Sequence, residues 1–156
     1  SVIPIDSAYF LVPSTSENDS LGFIWTTYTD PDTLGNSFRW SSRRVGQDPS
    51  FIYPLGSAWN DSFINGQTFT FSFFRYSADH NSEPEGEYGF WKTGDTVKVR
   101  LETIDESAYD AVMTFEAAAS AQGTPFAPPT NVKSNIEGGL GWWIAYSASE
   151  YTVICN

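Results

Sequence analysis

The sequence predicts a mainly β domain, an antiparallel β sandwich or barrel with one packed α-helix. Three observations lead there. The chain has 6 Trp, 8 Tyr and 12 Phe, so 17% of it is aromatic, against one Met and a large share of Ser and Thr. That mix suits a pleated surface better than a helix. Apolar residues alternate with polar ones in several segments, the period of a half-buried strand. A single segment repeats instead at 3.6 residues. At 156 residues the chain is long enough for one domain with its own core, and 1–156 reads as that one domain.

Taken in order, Ile3 to Val12 makes a first strand and Leu21 to about Tyr28 a second, with Phe23 and Trp25 alternating. Asp30-Pro31-Asp32-Thr33-Leu34-Gly35-Asn36 is a turn cluster: Pro fixes φ, Gly permits positive φ, and Asp and Asn close local bonds. Asn36 to Val45 resumes the alternation with Phe38 and Trp40 on one face and Arg39 on the other. Gly46 to Asp61 is looser, its Pro49 and Pro54 arguing against a central strand. Asn65-Gly66 is the strongest short hairpin signal. Phe69, Phe71 and Phe73 then alternate with Thr68, Thr70 and Ser72. After a long acidic loop over Ser77 to Gly94, Val97, Val99 and Leu101 face inward while Lys98, Arg100 and Glu102 face out.

The helix is expected from about Glu106 to Gln122. Asp105 is its N-cap, Glu106 suits the first turn, and Gly123 stops it ahead of Pro125. Its apolar stripe is Ala108, Ala111, Val112, Phe115, Ala118 and Ala119. Gly138-Gly139-Leu140-Gly141 makes a tight turn with at least one glycine at positive φ. It leads into Trp142 to Tyr146, and Tyr151 to Cys155 closes the chain as a strand.

Charge narrows the function classes. Nineteen acidic against eight basic residues give a net charge of -11, a field that repels nucleic-acid phosphates and anionic lipid. No run of about 18 apolar residues exists to span a bilayer. The one cysteine, Cys155, forms no internal disulfide and reads as a buried small hydrophobe beside Val153 and Ile154. With one histidine, His80, a multi-His metal site is excluded. Paired-carboxylate hydrolysis has candidates in Asp61, Asp79, Glu85 and Glu102, but a chain this acidic supplies such residues by abundance alone. No Gly-x-Ser-x-Gly elbow surrounds any serine, so no catalytic residue is assigned. Calcium is the only metal worth weighing, at Asp30, Asp32 and Asn36 or at Asp79, Asn81, Glu83 and Glu85. Neither set matches the Asp-x-Asp-x-Asp-Gly loop, and no metal or cofactor is expected.

Aromatic side chains are the remaining functional hint. Trp59 and Trp91 lie at loop or strand edges, and the adjacent Trp142 and Trp143 must point to opposite faces, one inward and one outward. Flat exposed rings stack on sugars and anchor protein interfaces. These four are the candidate binding residues, with core packing as the competing explanation for each.

Several segments read together as a family. They are Ile5-Asp6-Ser7, Thr29-Asp30-Pro31 with Asn36-Ser37-Phe38-Arg39-Trp40, and Asn60-Asp61-Ser62-Phe63-Ile64-Asn65-Gly66. The most specific is Pro125-Phe126-Ala127-Pro128-Pro129-Thr130-Asn131-Val132 running into Ser134-Asn135-Ile136-Glu137-Gly138-Gly139-Leu140-Gly141. In this order the chain resembles the C-terminal portion of the Bacteroidota lipoprotein family called domain of unknown function 4249. Trp142-Trp143 stands where that family commonly has Ile-Phe. The resemblance implies a non-enzymatic part of a longer lipoprotein, anchored at the outer membrane or cell surface through a lipidated cysteine outside this chain. Its implied partners are a TonB-dependent outer-membrane transporter or other lipoproteins of the same complex, and a glycan or peptide nutrient. A free-standing carbohydrate-binding module is the alternative, and a glycan hydrolase a third. Asp6-Ser7-Ala8, Asp19-Ser20-Leu21, Asp32-Thr33-Leu34 and Asp95-Thr96-Val97 resemble that phylum's O-glycosylation acceptor, making Ser7, Ser20, Thr33 and Thr96 candidate sites.

Overall fold

The computed structural model describes residues 2–14, 16, 18–76, 86–121 and 131–156. In chain order its elements are β1 (Ile5–Leu11), β2 (Leu21–Thr29), β3 (Ser37–Arg44), β4 (Ala58–Asn60), β5 (Thr68–Ser72), β6 (Trp91–Lys92), β7 (Thr96–Ile104), α1 (Glu106–Ala121) and β8 (Tyr146–Ile154). Two antiparallel sheets face each other. One has the order β1-β2-β5, with β6 paired to the start of β2; the other runs β4-β3-β7-β8. The sheets do not close into a barrel, which leaves the sandwich of the two expected architectures.

Period-two alternation explains the core. Ile24 and Tyr28 from one sheet meet Phe38, Trp40, Val97 and Leu101 from the other, each at most 1% exposed. Side chains of this size contribute about 1.5–3 kcal/mol each on full burial. Cys155 is also buried there, and burial pushes its thiol up to about 12, so it is an inert apolar filler.

The outward face of the second sheet departs from the expected pattern. Glu102 does not face solvent. Cross-strand register sets it beside Arg39, and Arg100 beside Glu150. The connection from β3 to β4 folds back over these charges. The Arg100 guanidinium lies 3.5 Å from the Phe51 ring centre, and that of Arg39 lies 3.9 Å from Tyr53. Tyr53 Oη donates to Glu102 Oε1 at 2.7 Å. Glu102 is thereby buried beneath the Tyr53 ring, with Arg39 and Arg100 half-buried beside it.

Helix α1 starts as its cap predicts, Asp105 Oδ1 accepting the Ala108 N–H at 2.8 Å. Its buried face differs from the apolar stripe: Ala108, Ala111 and Val112 are buried, but Phe115 is exposed and Glu116 is buried. Glu116 Oε2 accepts the Gly56 N–H at 2.7 Å, satisfying a loop amide that no strand reaches. Gln122, Gly123 and Pro125 lie outside the described residues.

Three further expectations change. Asn65-Gly66 makes no hairpin, because β4 pairs β3 and β5 pairs β2. The turn carries the chain from one sheet to the other, held by Asp30 Oδ2, which accepts the Gly66 N–H at 3.1 Å. The looser stretch after Gly46 contains the short edge strand β4. The last strand spans Tyr146–Ile154 without a break, and Trp142 and Trp143 precede it.

Burial pushes the carboxyls of Glu102, Glu116 and Asp30 above their ordinary values, with bonds from Tyr53, Gly56 and Gly66 opposing the shift. The native state therefore holds these protons more tightly than the unfolded chain. Stability rises as pH falls through the raised folded values towards the unfolded ones. Asp105 and Glu150 are shifted down, by bonds from Ser107 and Arg100, and their contribution is lost only at lower pH. The urea midpoint is expected to rise between about pH 7 and about pH 5. A Glu102→Gln, Glu116→Gln variant should show a flatter profile over that interval; an unchanged slope would assign the dependence elsewhere.

Candidate functional site

The two long sides of the sandwich are built differently. On the side where β1 meets β8, one hydroxyl bridges the sheets: Ser149 Oγ accepts the Ile5 N–H at 3.1 Å and donates to the Ile3 carbonyl at 2.8 Å. On the opposite side β5 ends one sheet and β4 the other, and among the described residues neither pairs with a further strand. Aromatic side chains line the gap.

Trp59, on β4, sets that gap. Its Nε1–H donates to Tyr28 Oη at 2.8 Å, across from one sheet to the other. Burial pushes that tyrosine up to about 12, so the hydroxyl stays protonated and accepts through its lone pair. The Trp59 ring stacks on Phe38 at 5.9 Å and meets Phe71 edge-on at 5.0 Å. Phe69, Phe71 and Phe73 descend the inner face of β5 and the residue beyond it, their rings 5.4–5.9 Å apart in sequence. Phe63, 92% exposed, stands at the rim. The resulting groove has a volume of about 370 Å³ and is mainly apolar, with Asn60 and Ser72 as its polar walls. Asn60 also borders a polar cavity of about 320 Å³ formed with Asp61, Glu106, Tyr109 and Asp110. A concave apolar surface with a few polar groups at its border is the kind that takes up apolar side chains or ligands.

The other expected binding residues are dispersed. Trp91 is a correction: at 1% exposure it belongs to the core and offers no ring to a partner. The sequence places it at a loop or strand edge; in the fold it starts β6 and pairs with Gly22. Trp142 and Trp143 do not lie on the strand expected of them but precede β8. Trp142 packs on Phe115 of α1, ring centres 4.9 Å apart, rather than in the sandwich core. Trp143 is 70% exposed, and its backbone is clamped by Asn135, whose Oδ1 and Nδ2 bond the Trp143 N–H and carbonyl at 2.8 and 2.7 Å. Gly138 and Gly141 take φ of 73° and 125°, the expected positive values. Trp143 does not line the groove that holds Trp59.

The acidic candidates have structural duties. Asp61 Oδ2 accepts the Asn36 N–H at 2.8 Å, and Asp32 Oδ1 accepts from Asn65 Nδ2 at 2.9 Å. Asn36 Nδ2 donates to the Thr33 carbonyl at 2.6 Å. No group of three His, Cys, Asp or Glu among the described residues converges to hold a metal. Asp79, His80, Asn81, Glu83 and Glu85 lie outside the described residues. Of the modification candidates, Thr33 is exposed on a loop and Ser20 is half-buried in a turn, whereas Ser7 and Thr96 lie within β1 and β7.

Of the rings that line the groove, Trp59 is among the residues expected from sequence, whereas Phe63 and Phe69 are not, Phe69 being expected only as part of a half-buried strand. Their contrasting accessibilities give a stability test. Trp91→Ala is expected to cost about 3–5 kcal/mol in urea unfolding. Trp143→Ala should change stability by about 0.5 kcal/mol or less. Equal losses would mean that Trp143 is packed in solution.

The chain matches the model of the family described as Domain of unknown function (DUF4249) over residues 3–152. No curated protein and no solved structure matches it. Since the match takes in both sheets, the helix and the Asn135 clamp, this chain belongs to the DUF4249 family.

Proposed function

We propose that this chain is a non-enzymatic binding domain, the C-terminal part of a lipid-anchored outer-membrane or cell-surface lipoprotein, and that it serves a TonB-dependent transporter or another complex of that membrane. The observation that carries the binding role is the aromatic groove between β4 and β5. An apolar surface rimmed by polar residues and left open at a sheet edge is costly to keep in water unless a partner covers it. The membrane setting rests on the family resemblance. Phe63 is the residue to bet on for contact, because its side chain stands almost free of its own fold.

Affinity purification from the native source, with partners identified by mass spectrometry, tests this reading. Phe63→Ala is expected to reduce recovery of the partner at least ten-fold, as loss of an aromatic anchor worth about 1.4 kcal/mol or more requires. Its melting temperature should hardly move. Recovery at the wild-type level would remove the groove from the interface.

Trp143 favours the second reading, a carbohydrate-binding module, since a flat ring held out by the Asn135 clamp suits a sugar face. Binding to a glycan array that disappears in Trp143→Ala would support it over the first reading.

The family resemblance also carries the glycosylation reading, and exposure ranks its sites, with Thr33 first and Ser20 second. Native protein is expected to exceed its polypeptide mass by one or more glycans, with the excess reduced in Thr33→Ala. A native mass equal to the bare chain would exclude it.

A further inference from the structure

We infer that the occupant of the open edge is an extended polypeptide segment of a partner protein. It adds a strand beside β5, sets alternate apolar side chains into the groove, and places a lysine or arginine at the Asn60 end. This rests on the binding role proposed above and specifies its chemistry.

Backbone register gives the first argument. The Asp30 N–H donates to the Gln67 carbonyl at 3.0 Å, directly continuing the ladder in which Thr29 faces Thr68 and Tyr28 faces Phe69. Bonded and non-bonded pairs alternate in an antiparallel ladder, so Phe69 and Phe71 direct their N–H and carbonyl groups to β2. Thr68, Thr70 and Ser72 turn theirs the other way, to the free edge. An incoming strand meets there a row of donors and acceptors at the spacing it needs.

The edge also lacks the usual guards against a further strand. Sheet edges that must stay free carry lysine, proline or an inward charge. Residues 68–72 are Thr-Phe-Thr-Phe-Ser, with none of these. A strand laid along them brings every second side chain to the inner side, beside Phe69 and Phe71 and under Phe63, which is the apolar groove.

Charge gives the third. The groove's shared wall, Asn60, opens onto the cavity bordered by Asp61, Glu106 and Asp110, and neither lysine nor arginine borders it. Asp110 already holds Lys133 Nζ at 2.6 Å, which shows the kind of group these carboxylates take. A cation on the partner strand is therefore complementary at that end. The same charges, in a chain of net -11, oppose the pairing of two β5 edges from two copies.

A phage-displayed library of random peptides about ten residues long, enough to run past β5 at ~3.3 Å per residue, tests the inference when panned against the chain. Enriched peptides should be apolar at alternate positions with Lys or Arg towards one end. With a synthetic enriched peptide at saturation, amide exchange at Thr68, Thr70 and Ser72 should slow about ten-fold or more, while Phe69 and Phe71 change little. Peptides that bind in the wild type, fail in Phe63→Ala and leave those three amides unchanged would overturn strand addition and leave the groove standing. No enrichment at all would overturn both. Enrichment of acidic ends would overturn the cationic assignment. A dimer in sedimentation, with the three amides already protected in the free chain, would give the edge to a second copy and overturn the partner strand.

Discussion

The bond from Trp59 Nε1 to Tyr28 Oη holds the open side of the molecule together. Tyr28 is fully buried on β2, and Trp59 comes from β4 on the facing sheet. Among the described residues no backbone ladder joins these sheets, so side chains fix their spacing, and this pair does so through one hydrogen bond inside an aromatic cluster. A buried tyrosine hydroxyl needs a partner, and the indole N–H supplies one without introducing charge. Phe38, Phe71 and Phe73 then pack on the Trp59 ring. The groove is what this arrangement leaves outside itself: the half of the aromatic layer that the two sheets do not enclose.

The other side shows what closure looks like in the same fold. There Ser149 carries a single oxygen between the Ile3 carbonyl and the Ile5 N–H, small enough to let β1 lie against β8. A serine hydroxyl joins the sheets at the shut side, and an indole ring joins them at the open one. The turn at Asp61 to Gly66 is anchored beside that ring. Asp30 reaches across to the Gly66 amide and Asp61 to the Asn36 amide, so two aspartates that sequence alone offers as metal ligands or catalytic acids bind backbone instead.

Much of this was legible in sequence because the strands carry their own period. Phe38 and Trp40, or Val97, Val99 and Leu101, announce which face is buried, and Asp105 announces where the helix begins. The pairing was less legible. Asn65-Gly66 has the local chemistry of a hairpin, yet its flanking strands belong to different sheets, a choice made by long-range burial rather than by the turn. Alternation also misplaced Glu102, and the helical stripe left out Glu116, since both periods assume that the polar face meets water. Here the polar face meets Tyr53, Phe51 and α1, and the charges are retained because Arg39, Arg100, Tyr53 and the Gly56 amide satisfy them. The groove was half visible. Trp59 could be named, but the accessibility of Phe63 and Phe69 depends on there being no described strand on the side of β5 away from β2.

Charge placement ties these features to one another. Five of the eight cations, Arg39, Arg43, Arg44, Lys98 and Arg100, lie on β3 and β7. They are drawn there by the local pairing: Arg44 with Asp48, Arg100 with Glu150, and Arg39 over Tyr53 beside Glu102. Concentrating positive charge in that layer stabilises a strand face that would otherwise bury unpaired carboxylates. It also leaves residues 58–72, which build the open edge, with Asp61 as their one charged side chain and no cation. The acidity of the open edge is thus a consequence of how the second sheet is covered. A ligand selected by this edge would be selected partly by interactions on the far side of that sheet.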